Sequence, residues 1–516
     1  MLIFAFLLPL LSFGQQKEDL KIGLVLSGGG AKGLAHIGAL KVLEDAGIRI
    51  DYIGGSSMGA IVGGLYAAGY SAAELDSIFH ATNFNILIQD DLPRSAKTFY
   101  EKEDSEKYAI TLPFDNFKFQ FPSGLSKGQN IYNLMSRLTM HVSNVRDFSN
   151  LPIPFFCVAA DIETGQEVIL DHGSLAKAVS ASGALPSIFS PVKINGRLLT
   201  DGGVANNYPV EELRERGAEV IIGIDVQDSL LGREKLKGVF DILTQVSNFR
   251  TISDMKKKIP KTDIYIHPDI TRFSILDFDK GEAIIDSGVV ATQKRFEELK
   301  ELAQRQQHHE KKVKIPKIDS IQISGLTIEG NNSYPRSYIL GKLKLQYFTK
   351  FSFHDLGVGL NNLSATGNFD RINYTLIPND TDAYYTLALQ IEESENKTFL
   401  RLALHYDPVY KSGALINLTR KSLLFTNDVA SLDVIFGDNL RYTFDYYIDK
   451  GYYWSIGFHS RYNSFNRGIS FDFARENAEL EDIGLNKIEV TYEDFTNQFY
   501  VETLFKQVFS FGMGAE

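Results

Sequence analysis

The stretch Ile50–Gly69, IDYIGGSSMGAIVGGLYAAG, decides how the front of the chain folds. Its strand-like start gives way to a helical run of small residues at Gly55-Ser56-Ser57-Met58-Gly59. G-x-S-x-G at a strand-to-helix junction is the setting that raises a serine on a sharp, strained turn. Residues two positions from such a serine lie so close that any Cβ collides, hence Gly55 and Gly59. Gly63, Gly64 and Ala67 then let the helix lie close to a sheet. The small residues make room for a raised Ser57 hydroxyl, unless that serine is no more than a helix cap.

A nucleophilic serine needs an oxyanion site and a base. Upstream, Gly23–Leu40 reads GLVLSGGGAKGLAHIGAL: a strand, a glycine-rich turn and a helix. The backbone N–H groups of that turn, at Gly28, Gly29, Gly30 and Gly33, sit at a helix N-terminus that favours negative charge, and Lys32 adds positive potential. One such donor contributes about 3–4 kcal/mol in the transition state. Gly28, Gly30 and Gly33 also fit the dinucleotide pattern G-x-G-x-x-G, and Asp51 follows Gly33 by 18 residues (51 − 33), near where a ribose-binding acid belongs. The G-x-S-x-G junction decides against that reading. Downstream, Leu198–Val210 reads LLTDGGVANNYPV, where Asp201 ends an apolar run and Gly202-Gly203 would hold its carboxylate in a tight turn. Alone, Asp201 is a turn former; in one domain with the other two pieces it is the expected base.

The chain has 516 residues, beyond the roughly 250–300 at which one core stops growing, so two or three domains are expected. A net charge of −11 excludes a nucleic-acid surface. The single cysteine, Cys157 in IPFFCVAAD, reads as a buried strand residue and rules out a disulfide framework or a cysteine-based metal site. No cofactor or metal is expected. Residues 1–16 read as a signal peptide, with the apolar run LIFAFLLPLL followed by small residues; a buried N-terminal strand is the alternative. No Lys or Arg precedes the run, which counts against export.

Three regions follow. Residues 20–306 alternate apolar strands with helical stretches, as in an α/β domain with a mostly parallel sheet flanked by helices. ELKELAQRQQHHEKKVKIPK then reads as a solvated helix end running into a linker. Residues 316–395 give β-α-α-β-β, a small α+β module. From 397 to 516 long alternation sets Leu400, Leu402, Leu404 and Tyr406 against Arg401, Ala403, His405 and Asp407. It does the same for Leu432, Val434 and Phe436 against Ser431 and Asp433. Strand length, aromatic content and tight turns such as FGDN favour a transmembrane β-barrel wall over a soluble sandwich. About six strands leave an open edge, which lipid does not tolerate, so further barrel strands are expected beyond Glu516 or from other chains.

These residues resemble the patatin-like phospholipases. The family signature of a G-G-G-x-[RK]-G loop, G-x-S-x-G and D-G-[GA] matches Gly28–Gly33, Gly55–Gly59 and Asp201–Gly203 in order. SASGALPSIFSPV (Ser180–Val192) and FPSGLSKGQNIYNLM (Phe121–Met135) are also similar to family segments; Lys32 stands where many members have arginine. The resemblance covers about Lys21 to Gln306. It implies a Ser–Asp dyad: Ser57 attacks an ester carbonyl, Asp201 takes its proton, and water releases the fatty acid. A carboxylate of ordinary pKa near 3.9 is a poor base at neutral pH, so direct contact with Ser57 and a tuned environment are required. The rival is a Ser…Asp…His triad with His267 as base. His36 reads as packing.

The C-terminal half resembles a POTRA module followed by an outer-membrane barrel of the assembly and two-partner-secretion superfamily. That architecture implies a hydrolase exported to the outer membrane of a Gram-negative-type cell, facing the periplasm or the outside. Its partners would be a phospholipid membrane, an acyl-ester substrate and the outer-membrane assembly machinery. The competing reading is an assembly or translocation factor with an accessory or vestigial hydrolase domain. The period-two aromatics Phe117, Phe119 and Phe121 read as strand core or as an acyl groove.

Overall fold

The computed structural model describes residues 19–97, 101–102, 106–115, 118–119, 124–227, 229–230, 232–236, 238–307, 315, 320–379, 384–408, 410–449, 454–470, 487–505 and 509–516. The expected signal peptide, Phe117 and Phe121 lie outside these residues. Two compact units result. The first gathers the described residues up to Thr82 with Val145–Leu185 and Val192–Ile315; the second gathers Asn83–Asn144, Pro186–Pro191 and the described residues from Ser320 onward.

In the first unit, Ile22–Leu26 and Phe155–Asp161 are buried at every position, as befits strands covered by helices on both faces. The spatial order is Ile264–Ile266, Val220–Ile224, Ile22–Leu26, Tyr52–Ser56, Phe155–Asp161, Arg197–Asp201, Val192–Ile194, with Glu167–Leu170 also beside Phe155–Asp161. The first five are mutually parallel; Arg197–Asp201 then turns antiparallel. That reversal matters for chemistry. Register pairs Ser56 with Val158 and Asp201 with Ala159, so the residue after Ser56 and the end of the antiparallel strand meet at one level of the sheet. Cys157 lies fully buried between them, as expected. The helix Phe296–Ala303 is more than a solvated end: Leu299 and Leu302 are buried, and the Gln306 amide accepts from Arg49 N and donates to Arg49 O.

In the second unit, Ser320–Glu329, Lys350–Ser352, Phe369–Pro378 and Tyr385–Glu393 form a four-stranded sheet with helices Arg336–Leu343 and Phe353–Ala365. This is the expected order with one short strand added between the helices. Residues 83–144 and 186–191 cluster with this sheet by contact, where an exposed edge takes them up. Phe369–Pro378 is an edge strand, and Gln129 bonds both N and O of Ile372 while the Tyr132 hydroxyl does the same for Tyr374, satisfying backbone groups an edge leaves unpaired.

A second sheet runs antiparallel from Thr398–Asp407 to Phe509–Ala515, seven strands among the described residues where the alternation resolves about six. Ile110–Asp115 extends it by pairing with Thr398–Asp407. One face carries Arg401, Asn417, Thr419 and Asp433, all buried; on the other, Leu404 and Tyr406 are 90% and 77% exposed, and Ile416, Leu418, Leu432 and Phe436 are exposed too. A soluble sandwich buries its apolar face, so the arrangement is the reverse of one. Phe119 is half-exposed beside Phe114 in this unit, so it is not strand core.

Candidate active site

Ser57 follows the strand Tyr52–Ser56 and caps the helix Met58–Ala67 with φ +53° and ψ −124°, backbone that side chains rarely adopt. The glycines explain how the turn closes. A Cβ on Gly55 would lie 2.6 Å from the Gly59 carbonyl oxygen, and one on Gly59 would lie 2.6 Å from Ser27 O and overlap Leu26 O. The neighbours are backbone and cannot swing away. Gly59→Ala should therefore cost about 2–3 kcal/mol by overpacking, seen as a lowered denaturation midpoint in urea with unchanged slope; an unchanged midpoint would remove the steric account of G-x-S-x-G.

Ser57 Oγ donates to Asp201 Oδ2 at 2.5 Å. Asp201 ends the strand Arg197–Asp201, and its Oδ1 accepts the Gly203 N–H at 2.7 Å. Only 3% of Asp201 is exposed. Burial pushes its carboxyl up to about 6, against the hydrogen bonds from Ser57 and Gly203 that pull it down. Gly202 and Gly203 fit the turn because side chains there would meet Val158 O and Asn207.

Two residues that sequence reasoning passed over hold this geometry. Ser182 Oγ accepts the Ser57 N–H at 3.0 Å and donates to Val158 O at 2.5 Å. Asn207 clamps the Gly28 peptide from both sides, with Oδ1 accepting Gly28 N–H and Nδ2 donating to Gly28 O, each at 3.1 Å. Ser182 lay within the quoted Ser180–Val192 stretch and Asn207 six residues past Asp201, so position was a signal, but the pairing was not.

The loop also sorts its own N–H groups. Gly28's is taken by Asn207, Ala31's by Ile275 O and Lys32's by Gly29 O. Gly29 and Gly30 keep theirs unbonded among the described residues, and Gly30 holds φ +57° with Ile275 O packed where a side chain would go. Gly33 packs against Met58, next to Ser57, and Lys32 is buried on the same turn. Thus Gly28 shapes the loop rather than donating from it.

The other candidates sit elsewhere. His267 Nδ1 bonds Asp225 O and the Ser57 hydroxyl bonds Asp201, so no Ser57–His contact assembles among the described residues. His36 is fully buried with Nε2 on Ser27 O at 2.8 Å; burial lowers its pKa to about 4, keeping it neutral. Asp51 pairs with Arg49 and Lys21 and accepts the Ile22 N–H, which gives its carboxylate a structural use.

Residues 24–214 match the family described as patatin-like phospholipase, and residues 385–516 match the OMP85 superfamily. The lysophospholipase NTE1 of Candida glabrata is 31% identical over 294 residues, which are 52% of this chain and 15% of that protein. An uncharacterised NTE family protein of Mycobacterium tuberculosis is 29% identical over 301 residues, 52% of this chain and 45% of its own. The chain thus spans less than half the length of either relative. Among solved structures, the ExoU–SpcU complex from the type III secretion system of Pseudomonas aeruginosa aligns at 16% identity and a TM-score of 0.29, covering 55% of this chain and 52% of that one. The chain joins a patatin-like phospholipase domain, residues 24–214, to an OMP85-superfamily domain, residues 385–516.

Proposed function

We propose that the chain is a serine esterase of lipase type that cleaves acyl esters of membrane phospholipids or lysophospholipids through Ser57 and Asp201. The observation that carries this reading is the 2.5 Å hydrogen bond from Ser57 Oγ to a buried carboxylate whose pKa is raised to about 6. A base poised there is mostly ionised at neutral pH yet basic enough to accept a proton. Ser57 Oγ attacks the acyl carbonyl carbon as its proton passes to Asp201 Oδ2. The oxyanion accepts hydrogen bonds from Gly29 and Gly30 N–H, beside the positive end of the helix dipole. Collapse expels the lipid alkoxide, which takes the proton from Asp201. Water then attacks the acyl-enzyme with Asp201 again as base, freeing the fatty acid and restoring Ser57.

The patatin-like match and the NTE lysophospholipase relative support a lipid substrate. The OMP85 match and the sheet's apolar outer face support an outer-membrane tether, inserted by the outer-membrane assembly machinery. In this scheme residues 1–16 are a signal peptide, 20–306 the hydrolase, 316–395 a POTRA-like module and 397–516 barrel wall. The test is fatty-acid release by the full chain from a series of phospholipids and lysophospholipids; no release by the folded protein sinks the esterase reading. His267→Ala should stay within about threefold of wild-type hydrolysis, and a loss as large as that of Ser57→Ala would replace the dyad with a triad. The OMP85 match also favours a second reading, an assembly or translocation factor. Ser57→Ala would leave such a role intact while ending lipid turnover.

A further inference from the structure

Within the first unit, the helix Val239–Lys258 shows solvent an apolar stripe. Ile242, Val246 and Phe249 are 49%, 56% and 51% exposed, and their i, i+4, i+7 spacing lines them up on one face. Arg250, Lys256 and Lys257 are exposed along the same face toward the helix C-terminus. Asp254 lies 3.9 Å from Arg250 and 3.8 Å from Lys257, so the flank keeps a net positive charge. The opposite face is engaged. Met255 packs with Tyr208 in the core, Thr251 bonds Gln227, and Lys258 bonds Asn206. That side also rests on Gly202–Val204, the turn that follows Asp201. One helix therefore braces the turn of the candidate base with its inner side and offers an uncovered apolar stripe with its outer side.

We propose that this outer face docks onto an anionic lipid bilayer. Ile242, Val246 and Phe249 would enter the boundary between headgroups and acyl chains, while Arg250, Lys256 and Lys257 meet the headgroup phosphates. An apolar stripe with basic flanks is the pattern of a helix lying in the membrane interface. The positive flank selects an anionic surface, and three large apolar side chains on one helix gain from leaving water. The inference rests on the lipase reading, since docking here brings the Ser57–Asp201 turn to its substrate.

The experiment uses the full chain held in amphipol and then transferred to vesicles of phosphatidylcholine with or without phosphatidylglycerol. Cys157 is fully buried, so Val246→Cys takes an environment-sensitive dye selectively, and Glu215→Cys, exposed on the helix Val210–Glu215, is the control. The dye at 246 should shift to the blue and be quenched by lipids carrying a spin label near the headgroup, more strongly with phosphatidylglycerol, while the dye at 215 is not. Equal quenching at both positions overturns the proposal. A blue shift before vesicles are added that fades on dilution overturns it as well, by making a second copy of the chain the occupant. The variant Ile242→Ser/Val246→Ser/Phe249→Ser should keep soluble short-chain ester hydrolysis within about twofold and lose at least about tenfold on vesicles. Equal losses on both substrates make the stripe structural and refute docking. If wild type hydrolyses no ester, the lipase reading fails, and the dye still decides docking.

Discussion

Ser57→Ala in the full chain is expected to abolish ester hydrolysis, with kcat falling by about 10⁴-fold or more, the scale seen when a nucleophile acting as one unit with its base is removed. The substitution isolates chemistry from folding. Alanine keeps the Cβ that packs against Gly28, and it adopts φ +53° no worse than serine does. What is lost is the hydroxyl, and with it one of the two hydrogen bonds that stabilise the Asp201 carboxylate. Ser57→Ala therefore folds, raises the Asp201 pKa further, and leaves Gly29 and Gly30 able to polarise a bound carbonyl. Residual turnover from that polarisation alone is expected to be faint. The measurement is initial-rate hydrolysis of a soluble ester and of a phospholipid, with near-UV circular dichroism as the folding control. Wild-type rates from folded Ser57→Ala would move the nucleophile elsewhere.

The parts of the site that were legible in the sequence are those set by local sterics. Gly55 and Gly59 flank Ser57 because a turn of that shape leaves no volume for a Cβ, and the constraint lies within five residues. Asp201 announced itself through the glycines that follow it. What stayed hidden is what depends on long-range register. Ser182 meets Ser57 across 125 residues and Asn207 meets Gly28 across 179, and neither serine nor asparagine carries a pattern that names its partner. The same holds for the fold. Two-faced alternation gave the antiparallel sheet, but no local property of ITLPFD says that Ile110–Asp115 pairs with Thr398–Asp407. The Gly28 N–H looked like an oxyanion donor for the same reason: its partner lies on a distant turn.

Asp201→Asn removes activity by a different route and should raise stability while doing so. In the wild type, Gly203 N–H fixes Oδ1 as an acceptor and Ser57 Oγ donates to Oδ2. Asparagine meets the Gly203 requirement with its carbonyl, which turns its NH₂ toward Ser57 Oγ. The hydrogen bond survives with its direction reversed, so the group that should accept the serine proton now donates one. A loss of about 10³-fold or more in kcat follows, with KM little changed because no substrate contact is removed. The pH dependence has a matching sign. With the carboxyl at about 6, kcat/KM of the wild type rises with pH through that value and levels off above it, as the base ionises. Stability runs the other way. The folded-state pKa is raised from 3.8, so this group's favourable contribution is complete below about pH 4 and is lost as pH climbs through about 6, a swing of about 3 kcal/mol. Asparagine carries no charge to bury. The variant should therefore denature later than wild type at pH 8 and no later at pH 4. A wild-type rate profile flat between pH 5 and 8, or a variant less stable at pH 8, would mean that the buried carboxylate is not the proton acceptor.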